Sequence, residues 1–110
     1  MIARTWRGTA TAAKANDYYR HFTTNVAPHL KTIDGHRGAF LLRRQVERET
    51  ESQTEAQVEF IAVTFWDSIE TIKKFAGPKP EVAIVEPEGQ AALSSFDDFA
   101  THYEVAYRGI

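Results

Sequence analysis

The chain has 110 residues, 43% of them hydrophobic and 25% charged, which is the balance of a soluble globule and a length suited to one domain, residues 1–110. Thirteen basic against fifteen acidic residues give a net charge of −2 without a Lys/Arg cluster, so the electrostatic grip that nucleic acid requires is missing. Cysteine is absent, which removes thiolate nucleophiles, disulfides, iron–sulfur clusters and cysteine-ligated zinc together. No apolar run approaches the roughly 20 residues that cross a bilayer, and the N-terminal residues lack the apolar centre of a signal peptide, so a cytoplasmic location with no membrane partner is expected.

Ile2 to Thr11 mixes Trp6 and β-formers with Arg4 and Arg7 and reads as the first strand. From Ala12 to about Leu30, Ala15, Tyr18 or Tyr19, Phe22, Val26 and Leu30 recur every three or four residues, the stripe of an amphipathic helix. Pro28 should end or bend it. Asp34-Gly35 is a turn signal, and a second strand follows from about Arg37 to Arg48. The polar run Glu49 to Gln57 reads as a solvated hairpin connection and the ends of two long strands, and Val58 to Trp66 as the third strand. Asp67 with Glu70 three residues on has capping-box spacing, so a helix should begin there, carry Ile69, Ile72 and Phe75 or Ala76, and close at Gly77-Pro78. Between Pro78 and Ser95, Glu81 to Val85 and Gly89 to Leu93 each fit a short helical turn. Tyr103 to Tyr107 reads as the fourth strand.

That order predicts an α+β, ferredoxin-like βαββαβ fold with a four-stranded antiparallel sheet. Strand three is apolar on both faces, with Val58, Phe60, Ala62, Thr64 and Trp66 on one and Ile61, Val63 and Phe65 on the other, whereas a one-sided antiparallel sheet should alternate apolar with polar. The second face therefore needs a cover. A symmetric homodimer packed sheet to sheet is the expected one, the alternative being residues 78–95 folded over that face.

Four segments, namely Trp6-Arg7-Gly8, the run from Asp34 to Arg43, Phe65 to Glu70 with the helix end Phe75-Ala76-Gly77, and Phe96-Asp97 leading to His102 and Val105, resemble the antibiotic biosynthesis monooxygenase domain family. The resemblance covers nearly the whole chain. It implies a dimeric α/β barrel whose subunits each hold a mostly apolar pocket, and it implies cofactor-free oxidation of a small aromatic ligand of phenol or anthrone type by dioxygen. In the family's haem-degrading branch a Trp at the end of the third strand lies against haem, and Trp66 matches it. That branch's first-strand Asn is replaced here by Thr5 and Trp6, and its ligating His has no counterpart between Trp66 and His102. No cofactor is therefore expected. A non-enzymatic dimeric ligand-binding module is the main alternative, and a haem enzyme the third reading.

Trp6 and Trp66 offer broad polarisable faces for stacking on a planar substrate, core packing being the competing role. His102, two residues from Glu104 and on the same face of the last strand, is the candidate general base, with a surface pair as the alternative. Tyr18 either places a hydroxyl at the cleft or packs. Arg43 and Arg44 point to opposite faces, so one faces the cleft or a partner subunit, and Arg43 is the candidate to hold a phenolate or carboxylate. Asp97 and Asp98 fit a turn. His21 and His29 lie about 12 Å apart along an unbroken helix, too far to share a metal, so no metal site is expected. His36 is expected on the surface.

Overall fold

Alternation of inward and outward side chains carries Ile2–Thr11 as one unbroken strand, β1, over the residues anticipated. The computed structural model, which describes residues 1–110, pairs β1 antiparallel with β3 (Thr54–Trp66) from Ile2 opposite Trp66 to Thr11 opposite Gln57. On its other edge β3 pairs with β2 (His36–Glu49). The polar residues 49–57 supply the ends of two long strands as well as the connection, as expected, since most of them belong to the ladder. Only the Thr50–Gln53 turn connects them, closed by Thr50 N–H to Gln53 O at 2.8 Å.

The expected fourth strand is corrected to two short ones, β4 (Ser95–Phe96) and β5 (Thr101–Glu104), which both pair with β1 and make the sheet five-stranded. Between them the chain turns aside to residues 81–83: Ala83 N–H donates to Asp98 O, and Ala100 N–H to Glu81 O. Pairing stops at Glu104, not Tyr107, because β1 begins at Ile2. Val105 N–H makes the last bond, to Met1 O at 3.0 Å. The resulting order, β2-β3-β1 with β4 and β5 at the far edge, is that of a ferredoxin-like antiparallel sheet.

Pro28 does not end the first helix, but the regular α-helix gives way to a π turn just before it. α1 (Ala15–His21) widens into a π-helical turn over Phe22–Val26 and continues as α2 (Ala27–Leu30). Proline has no N–H for the carbonyl four residues back and its ring crowds that group. The chain absorbs both faults one residue early, with Ala27 N–H reaching Phe22 O, five residues back.

The capping box is displaced by one residue. Ser68 caps α3 (Ile69–Ala76): its Oγ accepts from Thr71 N–H at 3.3 Å, and its N–H donates to Thr71 Oγ1 at 3.2 Å. Asp67 instead receives the Arg37 guanidinium in a forked pair at 2.6 and 2.8 Å. Gly35, at φ +93°, lies so close to Thr71 that a Cβ there would overlap its side chain, so only glycine joins the helical half to β2.

Residues 81–85 form no helical turn; Val82 bridges to Phe99 instead, and α4 (Pro87–Ala92) stands in place of the turn expected from Gly89 to Leu93. This whole segment lies on the helix side of the sheet, where Arg4 Nη2 donates to Pro80 O and Val82 O. It does not cover the second face. No helix is long and apolar enough to cross a membrane.

Register sorts the side chains. Arg4, Trp6, Gly8 and Ala10 share the helix face with Trp66, Thr64, Ala62, Phe60 and Val58. Two apolar clusters form beneath the helices, one around Trp6, Tyr18, Phe22 and Phe60, the other around Leu30, Trp66, Ile72 and Ala76. The opposite face carries Ile61, Val63 and Phe65 beside Phe40, Leu42 and Tyr103, and Phe40 and Leu42 are each 51% exposed.

Candidate functional site

The two clusters do not close on each other, and between them lies a cavity of about 60 Å³. One water takes roughly 10–15 Å³ on this measure, so the space admits a few waters, and an aromatic ring only when its wall gives. One part of that wall is the stretch from Ala83 to Glu86, which belongs to no helix or strand and whose Ile84 is nearly half exposed. The π turn forms another part of the wall, presenting Phe22 and Val26.

Trp6 and Tyr18 both line the cavity. Trp6 Nε1 donates to Asp97 O at 2.8 Å, which fixes the indole plane and employs the carbonyl, not the carboxylate, of the Asp97-Asp98 turn. Tyr18 lies 4.9 Å from the Phe60 ring and 6.2 Å from Trp6, and burial raises its pKa, keeping it a neutral phenol.

The other three candidates lie elsewhere. Trp66 is 0% exposed, packed beneath α3 with its ring 6.1 Å from Phe75 and its Nε1 donating to Thr64 Oγ1 at 2.8 Å. The helix that starts three residues after it folds straight back over the indole. Arg43 falls opposite Phe60, one row past the cavity, and sets its guanidinium over the exposed Tyr19 ring at 5.6 Å. His102 shares the helix face, beside Arg4, but stands behind that side chain and outside the wall, its Nε2 buried without a partner. Its intended neighbour Glu104 is exposed.

His36 is also corrected. It is partly buried, edge-on to Trp66 at 5.1 Å, with an unpartnered Nε2. Burial lowers the pKa of both His36 and His102; at His102 the Arg4 charge adds to the effect and Glu81 opposes it. A histidine whose folded pKa is depressed stays neutral while the unfolded chain takes up its proton. Stability should therefore hold above about pH 6.5 and fall as the pH drops through the window between that value and the lower folded ones. Urea midpoints at pH 7.5 and 5.5 measure the loss, and the double variant His36→Gln, His102→Gln should remove most of it. An unchanged loss in that variant would assign the effect to the carboxylates.

Two residues not put forward from the sequence complete the cavity. His21 is buried on its wall. Its Nδ1 lies 3.3 Å from Glu88 Oε2 and 3.0 Å from Asn25 Nδ2, while Asn25 Nδ2 also donates to Glu88 Oε2 at 2.9 Å. Held by Asn25, Nδ1 accepts and Nε2 carries the proton; held by Glu88, Nδ1 donates and Nε2 is a free base. Gly89 makes room for this ring, since a Cβ there would stand 3.2 Å from Nε2.

The second is Arg4, 6% exposed, with its guanidinium 5.5 Å from the Phe75 ring and no carboxylate within ion-pair distance. Burial lowers its pKa to about 10, so it remains a cation at neutral pH. Sequence carried a faint signal for each. Arg4 is a charge two residues from Trp6 on the inward side of a strand, and His21 follows Tyr18 by one turn on the apolar stripe.

Haem does not fit this arrangement. Trp66 is sealed in the core and bonded to Thr64, and the space beside it is a small fraction of a porphyrin's volume. No three His, Asp or Glu side chains converge to hold a metal ion.

A ferredoxin-like antiparallel sheet with a cavity under its helices defines a small α+β protein with the fold of the antibiotic biosynthesis monooxygenases. Among solved structures the chain is similar to a provisionally named antibiotic biosynthesis monooxygenase from Deinococcus radiodurans, at 18% identity and a TM-score of 0.56, over 100% of this chain and 96% of the other. It is similar also to one from Bacillus cereus, at 14% identity and a TM-score of 0.61, over 100% and 95%. No protein-family model and no curated protein matches the sequence.

Proposed function

We propose that the protein is a cofactor-independent monooxygenase of a small aromatic, phenol- or anthrone-type substrate. The observation that carries this reading is a buried imidazole, His21, on the wall of a mostly apolar cavity with a carboxylate, Glu88, behind it. The fold it shares with provisionally named monooxygenases supports the class of reaction. The base role passes from His102 to His21, and Trp6 and Tyr18 supply the walls.

The substrate suited to such a site has an activated methylene, R₂CH₂, conjugated with a phenolic ring. Glu88 holds the proton on Nδ1, and Nε2 takes one proton from carbon. The carbanion passes an electron to dioxygen, and the radical pair joins to form the C–O bond of a peroxide. The imidazolium returns its proton to the distal oxygen, and the O–O and remaining C–H bonds break to release water. The balance is R₂CH₂ + O₂ giving R₂C=O + H₂O, carbon being oxidised and oxygen reduced with no external electron donor. The protein supplies orientation and a dry cavity. Oxygen-electrode assays across a panel of small anthrones and quinols test the reading: rapid uptake supports it, and none across the panel overturns it.

One observation favours a second reading. If Asn25 keeps Nδ1 as an acceptor, Nε2 has no lone pair to offer and the same cavity only binds its ligand.

The working unit of this proposal is a homodimer joined through the second sheet face. Residues 78–95 lie on the other side, and the charges rimming the apolar patch are neutralised within the chain, Glu59 by Arg44 and Arg7, and Asp67 by Arg37. A second copy therefore meets apolar surface without net repulsion. Native mass spectrometry should find a dimer. Leu42→Glu, which would bury an unpaired carboxylate at the centre of that contact, should give a folded monomer. A monomeric unmodified protein would overturn the assembly.

A further inference from the structure

We infer that the cavity receives a small organic anion, its carboxylate, enolate or phenolate oxygen held between Arg4 and Thr64. This names the substrate class of the cavity proposed above as the working site, and rests on that proposal. A guanidinium nine-tenths buried is normally matched by a carboxylate, because an unpaired charge in an apolar interior is costly. Arg4 has none. Its Nη2 is shared between two backbone carbonyls at 3.2 and 3.4 Å, which carry only partial charge, and its buried Nε has no partner. The remaining guanidinium donors have no acceptor within the chain.

Directly opposite Arg4 in the β1–β3 ladder stands Thr64, also buried and also on the cavity wall. Its Oγ1 accepts from Trp66 Nε1, which occupies a lone pair and leaves the hydroxyl hydrogen free to donate. Trp66 is thus a positioning residue: sealed in the core, it turns a threonine hydroxyl into a donor. Arg4 and Thr64, cross-strand partners with donors to spare, share the cavity wall with the rings of Trp6 and Phe75. The one carboxylate on the wall, Glu86, is an exposed residue of the Ala83–Glu86 stretch. A planar anion satisfies both donors and lays its apolar body along the aromatic side. A structural role for Arg4, pinning residues 80–82, explains the two carbonyl bonds but leaves Nε and the Thr64 hydrogen unused.

Isothermal titration calorimetry with benzoate and its neutral isostere benzamide separates the two roles. Benzoate should bind about 30-fold more tightly, the worth of a hydrogen-bonded charge in a buried site. Arg4→Met should erase the difference, Arg4→Lys should keep part of it, and Thr64→Val should weaken both probes, benzoate more than benzamide, because the hydroxyl donates to either oxygen and more strongly to the charged one. Equal affinity for the two probes, binding of neither, or a preference that survives Arg4→Met would each overturn the inference. Should Arg4→Met fail to fold, the comparison on the unmodified protein and on Arg4→Lys still decides. Oxygen uptake without benzoate preference would remove the anion site and leave the oxygenase. Benzoate preference without uptake on any substrate would do the reverse.

Discussion

Replacing Trp66 with alanine should cost about 3–5 kcal/mol of folding stability, the usual loss for a large aromatic removed from a closed core. The indole is fully buried against Leu30, Ile72 and Phe75, and α3, pinned by its Ser68–Thr71 cap and by Gly35 against Thr71, has little freedom to sink into the gap. A domain of this kind commonly has only about 5–15 kcal/mol in hand, so the melting temperature should fall by more than about 10 °C. Trp66→Phe should cost far less, because it fills most of the volume and gives up mainly the hydrogen bond to Thr64, worth about 1 kcal/mol. The two variants together separate packing from ligand contact. If thermal unfolding showed Trp66→Ala to be nearly neutral while ligand affinity collapsed, the indole would belong on the wall of the site after all.

The contrast between the two tryptophans marks what the sequence can reveal. The β-forming residues around Trp6 locate β1 to its end residues, and the double-sided third strand signals a second apolar face that the structure leaves exposed. Those signals are local or repeat along one element. Which of two indoles meets the cavity depends on where α3 lands, a long-range matter that Val63 to Pro78 does not encode by itself. Parity sends Arg43 and Arg44 to opposite faces and keeps His102 with Glu104, but it does not say which face holds the cavity or how far along that face the cavity extends. Arg4 looks like ordinary strand polarity until the register puts it on the helix side, opposite Thr64. Competition for a cap is equally invisible in spacing: Asp67 has the right interval to Glu70, yet Arg37 from another strand claims it, and Ser68 takes the cap. Pro28 carries the same lesson, since a helix confined by packing on both sides of it absorbs the ring as a π turn and does not end.

Exchange of His21 for alanine should lower the initial rate of oxygen uptake by about 10²–10⁴-fold, the ordinary contribution of a positioned general base. His102→Ala should change it by less than about tenfold, since that ring stands behind Arg4 and reaches the substrate only through the field of its neighbour. The pair of variants is informative because both histidines are partly or wholly buried on the same side of the sheet, so general damage to the fold would affect both rates alike. Glu88→Gln refines the result. It keeps the hydrogen-bonding shape at Nδ1 but removes the charge that selects the base tautomer against Asn25, so it should slow turnover well below the unmodified rate without altering benzoate affinity. Asn25→Leu removes the competing donor and should leave the rate unchanged or raise it. If uptake survived the loss of His21 and vanished with His102, the base would sit behind Arg4, and the substrate would have to reach it by displacing the residues from Pro80 to Val82 that the Arg4 guanidinium now holds.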